Sequence, residues 1–306
     1  FCSKENSQIK WDKPCLRSEG WIKKIEKEEN IAVAVEREPR FTKTVTINKK
    51  NRPTSHLLCP FNCVLFTPEE IELISTLPEA RRKYLNLIIS QGDRTYAYNL
   101  IHYRRSIEQR NSLLKRICNG LAKENELEVW DGRVAEYGAN IIEKRIAFIK
   151  EINRTIGDNY QKLAGNGKQN LEIVYLSTTE PNKGWAGILE GLVKNRERDV
   201  FCGVASIGPH RDDLDFMIDK REINEFASRG EFRTVILALK LSEVEFFIKR
   251  TGERPVLLLD DVFSELDQTR RDLLSQIFTK QQTIVTTTDL DHISPNIIKK
   301  AKVTKI

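Results

Sequence analysis

The chain has 306 residues, with 50 Lys and Arg against 44 Asp and Glu, for a formal net charge of +6. Hydrophobic residues make up 40% and charged residues 31%, enough apolar material for a core, which excludes a disordered chain. Glycine (15) and proline (10) are too few for a collagen-like or low-complexity class, and no apolar run approaches the roughly 18 residues of a membrane span. The mild basic excess permits a polyanionic partner without requiring one. Six scattered cysteines (2, 15, 59, 63, 118 and 202) with no signal peptide before them lead us to expect a reduced, cytoplasmic setting. Cys59-Pro-Phe-Asn-Cys63 would supply half of a zinc site, and no second pair completes it.

In chain order, Ile31–Arg37 and Lys43–Asn48 are β-branched, alternating runs that predict strands, with a turn over 48–53. Cys63–Phe66 predicts a third strand. At Thr67-Pro-Glu-Glu the period changes: Thr67 is placed as an N-cap, Pro68 at the first helical position and Glu70 to close a capping box. Helical periodicity then dominates to about residue 160, most clearly in the stripe Val134, Gly138, Ile141, Ile142, Ile146 and Ile149. Leu171–Leu176 returns to strand. From residue 200 the pattern becomes α/β: a strand after Gly208-Pro-His-Arg-Asp-Asp, a turn over 219–222 and a helix from about Ser228 to Arg250. A buried strand Pro255–Asp260 follows, then a helix opening at Ser264 and a strand Thr283–Thr287. Apolar strands alternating with amphipathic helices imply a sheet covered on both faces.

Three strings carry chemistry. Pro255-Val-Leu-Leu-Leu-Asp260-Asp261 has the shape of a Walker B strand, whose carboxyl end delivers two acids to the sheet's binding edge. Asp260 would hold Mg²⁺, which keeps several waters and takes few carboxylates, and Asp261 would polarise an attacking water. An ordinary buried strand ending in a solvated turn has the same string. Ser264-Glu-Leu-Asp267 fits a helix N-cap, or the D-loop of ABC-type ATPases. Ser228-Arg-Gly230-Glu231 opens a helix whose N-terminus suits phosphate; it fits a plain capped start, or an ABC signature loop. The ordered succession of these strings, ending in Thr286-Thr-Thr288-Asp289, is what independent accidents would rarely produce.

With Val64-Leu-Phe-Thr-Pro-Glu-Glu, Arg104-Arg-Ser-Ile-Glu-Gln-Arg, Gly208-Pro-His-Arg-Asp-Asp-Leu and Phe226-Ala-Ser-Arg-Gly-Glu in the same order, the chain resembles the RecF family of bacterial DNA replication and repair proteins. The resemblance implies an ABC/SMC-type ATPase head, a mixed and parallel sheet flanked by helices with an inserted, mostly helical lid. The expected divisions are 1–66 (β part of the head), 67–200 (helical insertion) and 201–306 (lobe with signature, Walker B and D-loop). It further implies binding of ATP and Mg²⁺ and slow, DNA-dependent hydrolysis. An ATP-dependent homodimer on single- and double-stranded DNA at gaps is implied too, as is work with RecR and RecO in recombinational repair and the SOS response. Ser228, Gly230, Glu231, Asp267 and Thr288 would touch nucleotide. Arg81, Arg82, Lys83, Arg104, Arg105, His210 and Arg211 are candidates for DNA or phosphate contacts, each with an alternative as solvated or structural side chains.

Three features depart from the family. No Gly-x-x-x-x-Gly-Lys-Ser/Thr occurs, and Gly165-Asn-Gly167-Lys168-Gln is too short. With Phe1 in place of Met, this leads us to expect an N-terminally truncated chain, its P-loop lying before the region of Trp21, and no ATP hydrolysis by the chain as written. A non-hydrolysing DNA-binding adaptor with a vestigial head is the alternative. Glu231 stands where relatives often have Gln and would need a cation such as Arg229 or Arg233. Thr288 stands where many ABC ATPases have His.

Overall fold

The computed structural model describes residues 9–37, 41–53, 62–70, 73–74, 78–165, 169–278 and 280–305. Cys59, Gly167 and Lys168 lie outside them. The chain divides into two compact units, Phe1–Asn62 and Cys63–Ile306.

The first unit is an antiparallel meander of β1 (Cys15–Lys23), β2 (Glu28–Glu36), β3 (Thr42–Ile47) and β4 (Lys50–Arg52), in that spatial order. In β2 and β3 Val35 and Val45 are buried on one face and Ala32 on the other. The predicted turn is tighter than expected. Asn48 and Lys49 both have positive φ, 51° and 63°, as a two-residue type I′ hairpin demands, so 50–52 is strand and pairs back on β3. The Asn48 side chain locks this corner by accepting from the Asn30 amide (2.9 Å).

The second unit is mixed α/β, as expected. A parallel sheet runs in the order β10 (Thr283–Thr286), β9 (Val256–Asp260), β5 (Cys63–Phe66). Val64, Phe66, Leu257 and Leu259 are almost fully buried. These four share one face; the other face of β5 and β9 is half-buried, and at β10 Ile284 is 54% exposed, so the expectation of a sheet covered on both faces is met only in part. A second, antiparallel sheet joins β6 (Leu171–Leu176), β7 (Asp213–Ile218) and β8 (Arg221–Glu222).

The helices are α1 (Pro78–Gly92), α2 (Arg94–Cys118), α3 (Leu127–Ile152), α4 (Ile156–Ala164), α5 (Gly184–Lys194), α6 (Arg196–Cys202), α7 (Arg229–Thr251), α8 (Gln268–Phe278) and α9 (Pro295–Ile298). Helix α7 is buried without a break from Thr234 to Val244, the mark of a helix packed on all sides. In α3 the predicted stripe faces the core except Ile146, which is 36% exposed. The helix expected at Ser264 begins later: residues Val262–Glu265 form a 3₁₀ turn, and Asp267 caps α8 by accepting from the Arg270 amide (2.9 Å). Thr67 and Glu70 bracket a 3₁₀ turn, Pro68–Glu70. Among the described residues no helix is long and apolar enough to cross a membrane.

Candidate functional site

Strand β9 lies between β10 and β5, so its carboxyl end opens at the middle of the parallel edge, where α/β sheets place ligands. Asp260 is the last residue of β9 and sits opposite Thr286. The Thr286 hydroxyl donates to Asp260 Oδ1 (2.5 Å), and the Asp261 amide donates to the Thr286 carbonyl (3.1 Å). These bonds hold the tips of β9 and β10 together. Asp261 then leaves the strand in the left-handed region, φ 49°. That conformation is costly for most L-residues and tolerated by Asp and Asn. The Ser264 hydroxyl donates to the Asp261 carbonyl (2.8 Å) and fixes the turn. Asp261 Oδ1 is buried and has no hydrogen-bond partner among the described residues, an expensive arrangement for a carboxylate.

The second cluster surrounds the start of α7. Ser228 and Glu231 form a reciprocal capping box: the Glu231 carboxylate accepts from the Ser228 amide (2.7 Å) and hydroxyl (2.8 Å), and Ser228 Oγ accepts from the Glu231 amide (3.3 Å). The carboxylate thus takes two donors from Ser228 of its own cap. A Cβ on Gly230 would meet a single atom, Ser228 Oγ, at 3.9 Å, so the backbone there is open to approach. Arg270 ties this helix to Asp267: its guanidinium donates to Asp267 Oδ2 (2.5 Å) and Thr234 Oγ1 (2.6 Å), and the Thr234 hydroxyl donates to the Gly230 carbonyl (2.9 Å). The structure therefore joins Ser228, Gly230 and Glu231 to Asp267, and separately joins Asp260 and Asp261 to β10. Thr288 follows β10 and is exposed.

Two candidate DNA contacts are corrected. Arg81 is buried and forms a bidentate pair with Asp213 (2.7 and 2.7 Å) while donating to the Ile74 carbonyl. His210 lies against Tyr103: its Nε2 is 3.2 Å from the Ala205 carbonyl, which accepts only, so Nε2 carries the proton and Nδ1 accepts from the Tyr103 hydroxyl (2.6 Å). Burial, with Arg211, Arg82 and Arg110 adding to it, pushes the His210 pKa down to about 4 against the pull of the Ala205 bond. Both side chains spend their polar groups inside the fold. Arg82 donates to the Asp212 carbonyl (3.1 Å), exposed Lys83 pairs with Glu79, and Arg211 donates to the Ala205 carbonyl. Arg104 and Arg105 are exposed and make no ion pair among the described residues.

Sequence reasoning missed the buried charges. Arg110 bridges Asp131 (2.6 Å) and Asp199 (2.8 Å). Arg145 donates to the Pro209 carbonyl (2.6 Å), Asn86 and the Tyr96 and Tyr175 hydroxyls, and Asp212 accepts from Tyr175 and Thr178, so the Gly208–Asp213 segment is internally braced. On α7, Lys240 pairs with Glu70 and with the fully buried Glu243. Burial raises the Glu243 pKa to about 7 despite Lys240. Among the described residues no group of three or more His, Cys, Asp or Glu side chains is arranged to hold a metal. Two carboxylates at a sheet edge are, however, what Mg²⁺ uses when phosphate and water complete its shell.

No protein-family model matches the chain. The DNA replication and repair protein RecF of Agathobacter rectalis is 35% identical over 302 residues, 98% of this chain and 82% of that protein. RecF of Lachnoclostridium phytofermentans is 36% identical over 270 residues, 84% of this chain and 74% of that protein. A solved structure described as the recombination mediator protein RecF with ATP, in the RecFOR pathway, superposes with a TM-score of 0.86 at 32% identity, covering 95% of this chain and 79% of that one.

Proposed function

The chain belongs to the RecF family, and on that premise we propose that it is an ATP-dependent DNA-binding protein of replication and recombinational repair, acting with RecR and RecO at gapped DNA. The observation that carries the nucleotide part is Asp261 at the parallel edge: a left-handed backbone and a buried carboxylate oxygen without a partner among the described residues, beside an Asp260 held in place by Thr286. Strain and an unsatisfied acid at one position are what a ligand site stores. Asp260 would hold Mg²⁺, which supplies charge neutralisation to the phosphates when bound. Asp261 would orient and polarise the attacking water. The start of α7, with Ser228 and the open Gly230, is a helix N-terminus suited to phosphate. Tied to Asp267 through Arg270, it would meet the nucleotide of a second copy, which gives an ATP-dependent homodimer.

A second reading has its own observation: no Walker A string occurs within the 306 residues. In that reading the protein is a DNA-binding adaptor that does not use nucleotide. Sedimentation velocity with and without Mg-ATP, together with DNA-binding isotherms under both conditions, separates the two. With a Walker A segment joined upstream, the first reading expects a monomer-to-dimer shift on Mg-ATP that Asp260→Asn abolishes. An unchanged sedimentation coefficient with nucleotide-independent DNA affinity overturns it in favour of the adaptor.

A further inference from the structure

Three aromatic rings form a ladder on the outside of the helical region. Tyr98 and His102 are one turn apart on α2, their ring centroids 4.1 Å apart, and His102 stacks at 5.3 Å and 28° on Tyr137 of α3. Tyr98 is 56% exposed. Neither its hydroxyl nor the His102 ring has a hydrogen-bond partner among the described residues. The neighbouring tyrosines of the same helix behave otherwise: Tyr96 and Tyr103 are buried, and their hydroxyls bond to Asn86 and His210.

Arg94 and Arg105 lie on the ladder's stripe, four residues before Tyr98 and three after His102, about 16 Å apart along the helix at 1.5 Å per residue. Both are exposed and make no ion pair among the described residues. On α3, Arg133 precedes Tyr137 by four residues and stands 5.3 Å over the Trp130 ring. One carboxylate, exposed Glu108, sits at the edge of the α2 stripe. Elsewhere in this region Arg81, Arg110 and Arg145 are buried and bonded to acids, carbonyls or hydroxyls, while Arg104, exposed and without an ion pair among the described residues, lies off the stripe. Free guanidiniums flanking an open π-face therefore set this surface apart.

Cations alone would attract any polyanion. Exposed rings add affinity only where a base offers its face, and a duplex hides those faces within its own stack. We propose that this face of α2 and α3 is a stacking platform for unpaired nucleotides of single-stranded DNA, a base lying on Tyr98 above His102 and Tyr137, with Arg94 and Arg105 on the flanking phosphates. The proposal rests on the DNA-binding reading above and adds which strand form is read and by which residues.

The test is fluorescence anisotropy of the full chain with labelled oligo-dT and with a labelled duplex of equal length, across a salt series, with thermal melts as a folding check. The Tyr98→Ala, His102→Ala double variant is expected to lose about fivefold or more in oligo-dT affinity, the scale of one lost base stack. Duplex affinity is expected to stay within about twofold, because the rings do not touch paired bases. Tyr98→Phe, which keeps the ring, is expected to bind as wild type. Arg94→Gln with Arg105→Gln should flatten the oligo-dT salt dependence by about 0.7 in log–log slope for each phosphate no longer neutralised. An unchanged oligo-dT affinity in the double variant, or an equal fall for duplex, overturns the platform while leaving DNA binding standing. Wild-type protein that binds duplex and not oligo-dT does the same. Wild-type protein that binds neither overturns both readings.

Discussion

At Asp261 one residue is asked to satisfy two demands, and they can be separated by substitution. The backbone demand is a left-handed φ of 49°, which Asp and Asn meet because their short polar side chains bond locally. The chemical demand is a carboxylate whose buried oxygen has no partner among the described residues. Asp261→Asn keeps the first and removes the second. The urea midpoint is therefore expected to stay near that of wild type, within about 0.5 kcal/mol, as for substitutions that break no packing or cap. In a chain joined to an upstream Walker A segment, the proposed nucleotide turnover is expected to fall about a hundredfold or more, the scale of a lost general base. Asp261→Val reverses the pattern on stability: a β-branched residue in the left-handed region costs about 1–2 kcal/mol. A destabilised Asp261→Asn would show that the carboxylate serves the fold. At the other cluster, Ser228→Ala removes one half of the capping box and is expected to cost about 1 kcal/mol in the same denaturation assay. Glu231→Gln should cost much less, since an amide oxygen can still accept from the Ser228 amide. That makes Glu231 a conservative departure from a Gln-bearing loop.

At the level of elements, the helical region is fastened by charges more than its composition suggests. Arg110 of α2 reaches Asp131 of α3 and Asp199 of α6, and all three are at most 1% exposed. Arg110→Ala would leave two buried carboxylates with one remaining cation, Arg196. Breaking a buried pair from one side costs about 3–5 kcal/mol, so this variant should lose that much in urea denaturation. Lys83→Ala, which deletes an exposed pair with Glu79, should lose no more than about 0.5 kcal/mol. These partners lie 21 and 89 residues from Arg110, which is why no local pattern announced them. What was legible had a local period: β9 as an apolar run ending in two acids, the α7 cap as Ser-x-x-Glu, the Ile-rich stripe of α3. What was not legible depends on backbone pairing or on distance. Strand β1, Cys-Leu-Arg-Ser-Glu-Gly-Trp-Ile-Lys, is almost wholly exposed and pairs with β2 through its backbone, so its side chains carry no alternation. Arg81 and His210 read as loose cations because Asp213 and Tyr103, which hold them, lie 132 and 107 residues away in the chain.

For the whole molecule, two buried groups in the second unit give stability a pH dependence in which opposite signs overlap. His210 titrates at about 4 in the folded chain, lowered by burial and by Arg211, Arg82 and Arg110, against about 6.5 unfolded. Between those values the unfolded state binds the extra proton, so His210 favours folding increasingly as pH rises and withdraws that support as pH falls from about 6.5 to about 4. Glu243 titrates at about 7 in the folded chain, raised by burial and by Glu70 against the pull of Lys240, and near 4.3 unfolded. There the folded state holds the extra proton, so stability is lost as pH rises from about 4.5 to about 7. Each slope approaches at most about 1.4 kcal/mol per pH unit, and over pH 5–6 they nearly cancel in the wild type. His210→Gln removes the rising contribution, so its stability relative to wild type should decline with increasing pH across that interval. Glu243→Gln removes the falling contribution and should show the opposite trend. Urea denaturation of the three proteins at half-unit steps from pH 4.5 to pH 7 measures both differences. Parallel curves for all three would mean that neither group changes its proton affinity on folding. The cancellation also has a functional corollary. Glu243 lies on α7, the helix that opens with Ser228 and Gly230, and Lys240 ties it to Glu70 directly after β5. A charge change there would act on the element that carries the proposed phosphate site, so the proposed nucleotide-dependent dimerisation is expected to shift near pH 7 in the wild type and to lose that shift in Glu243→Gln.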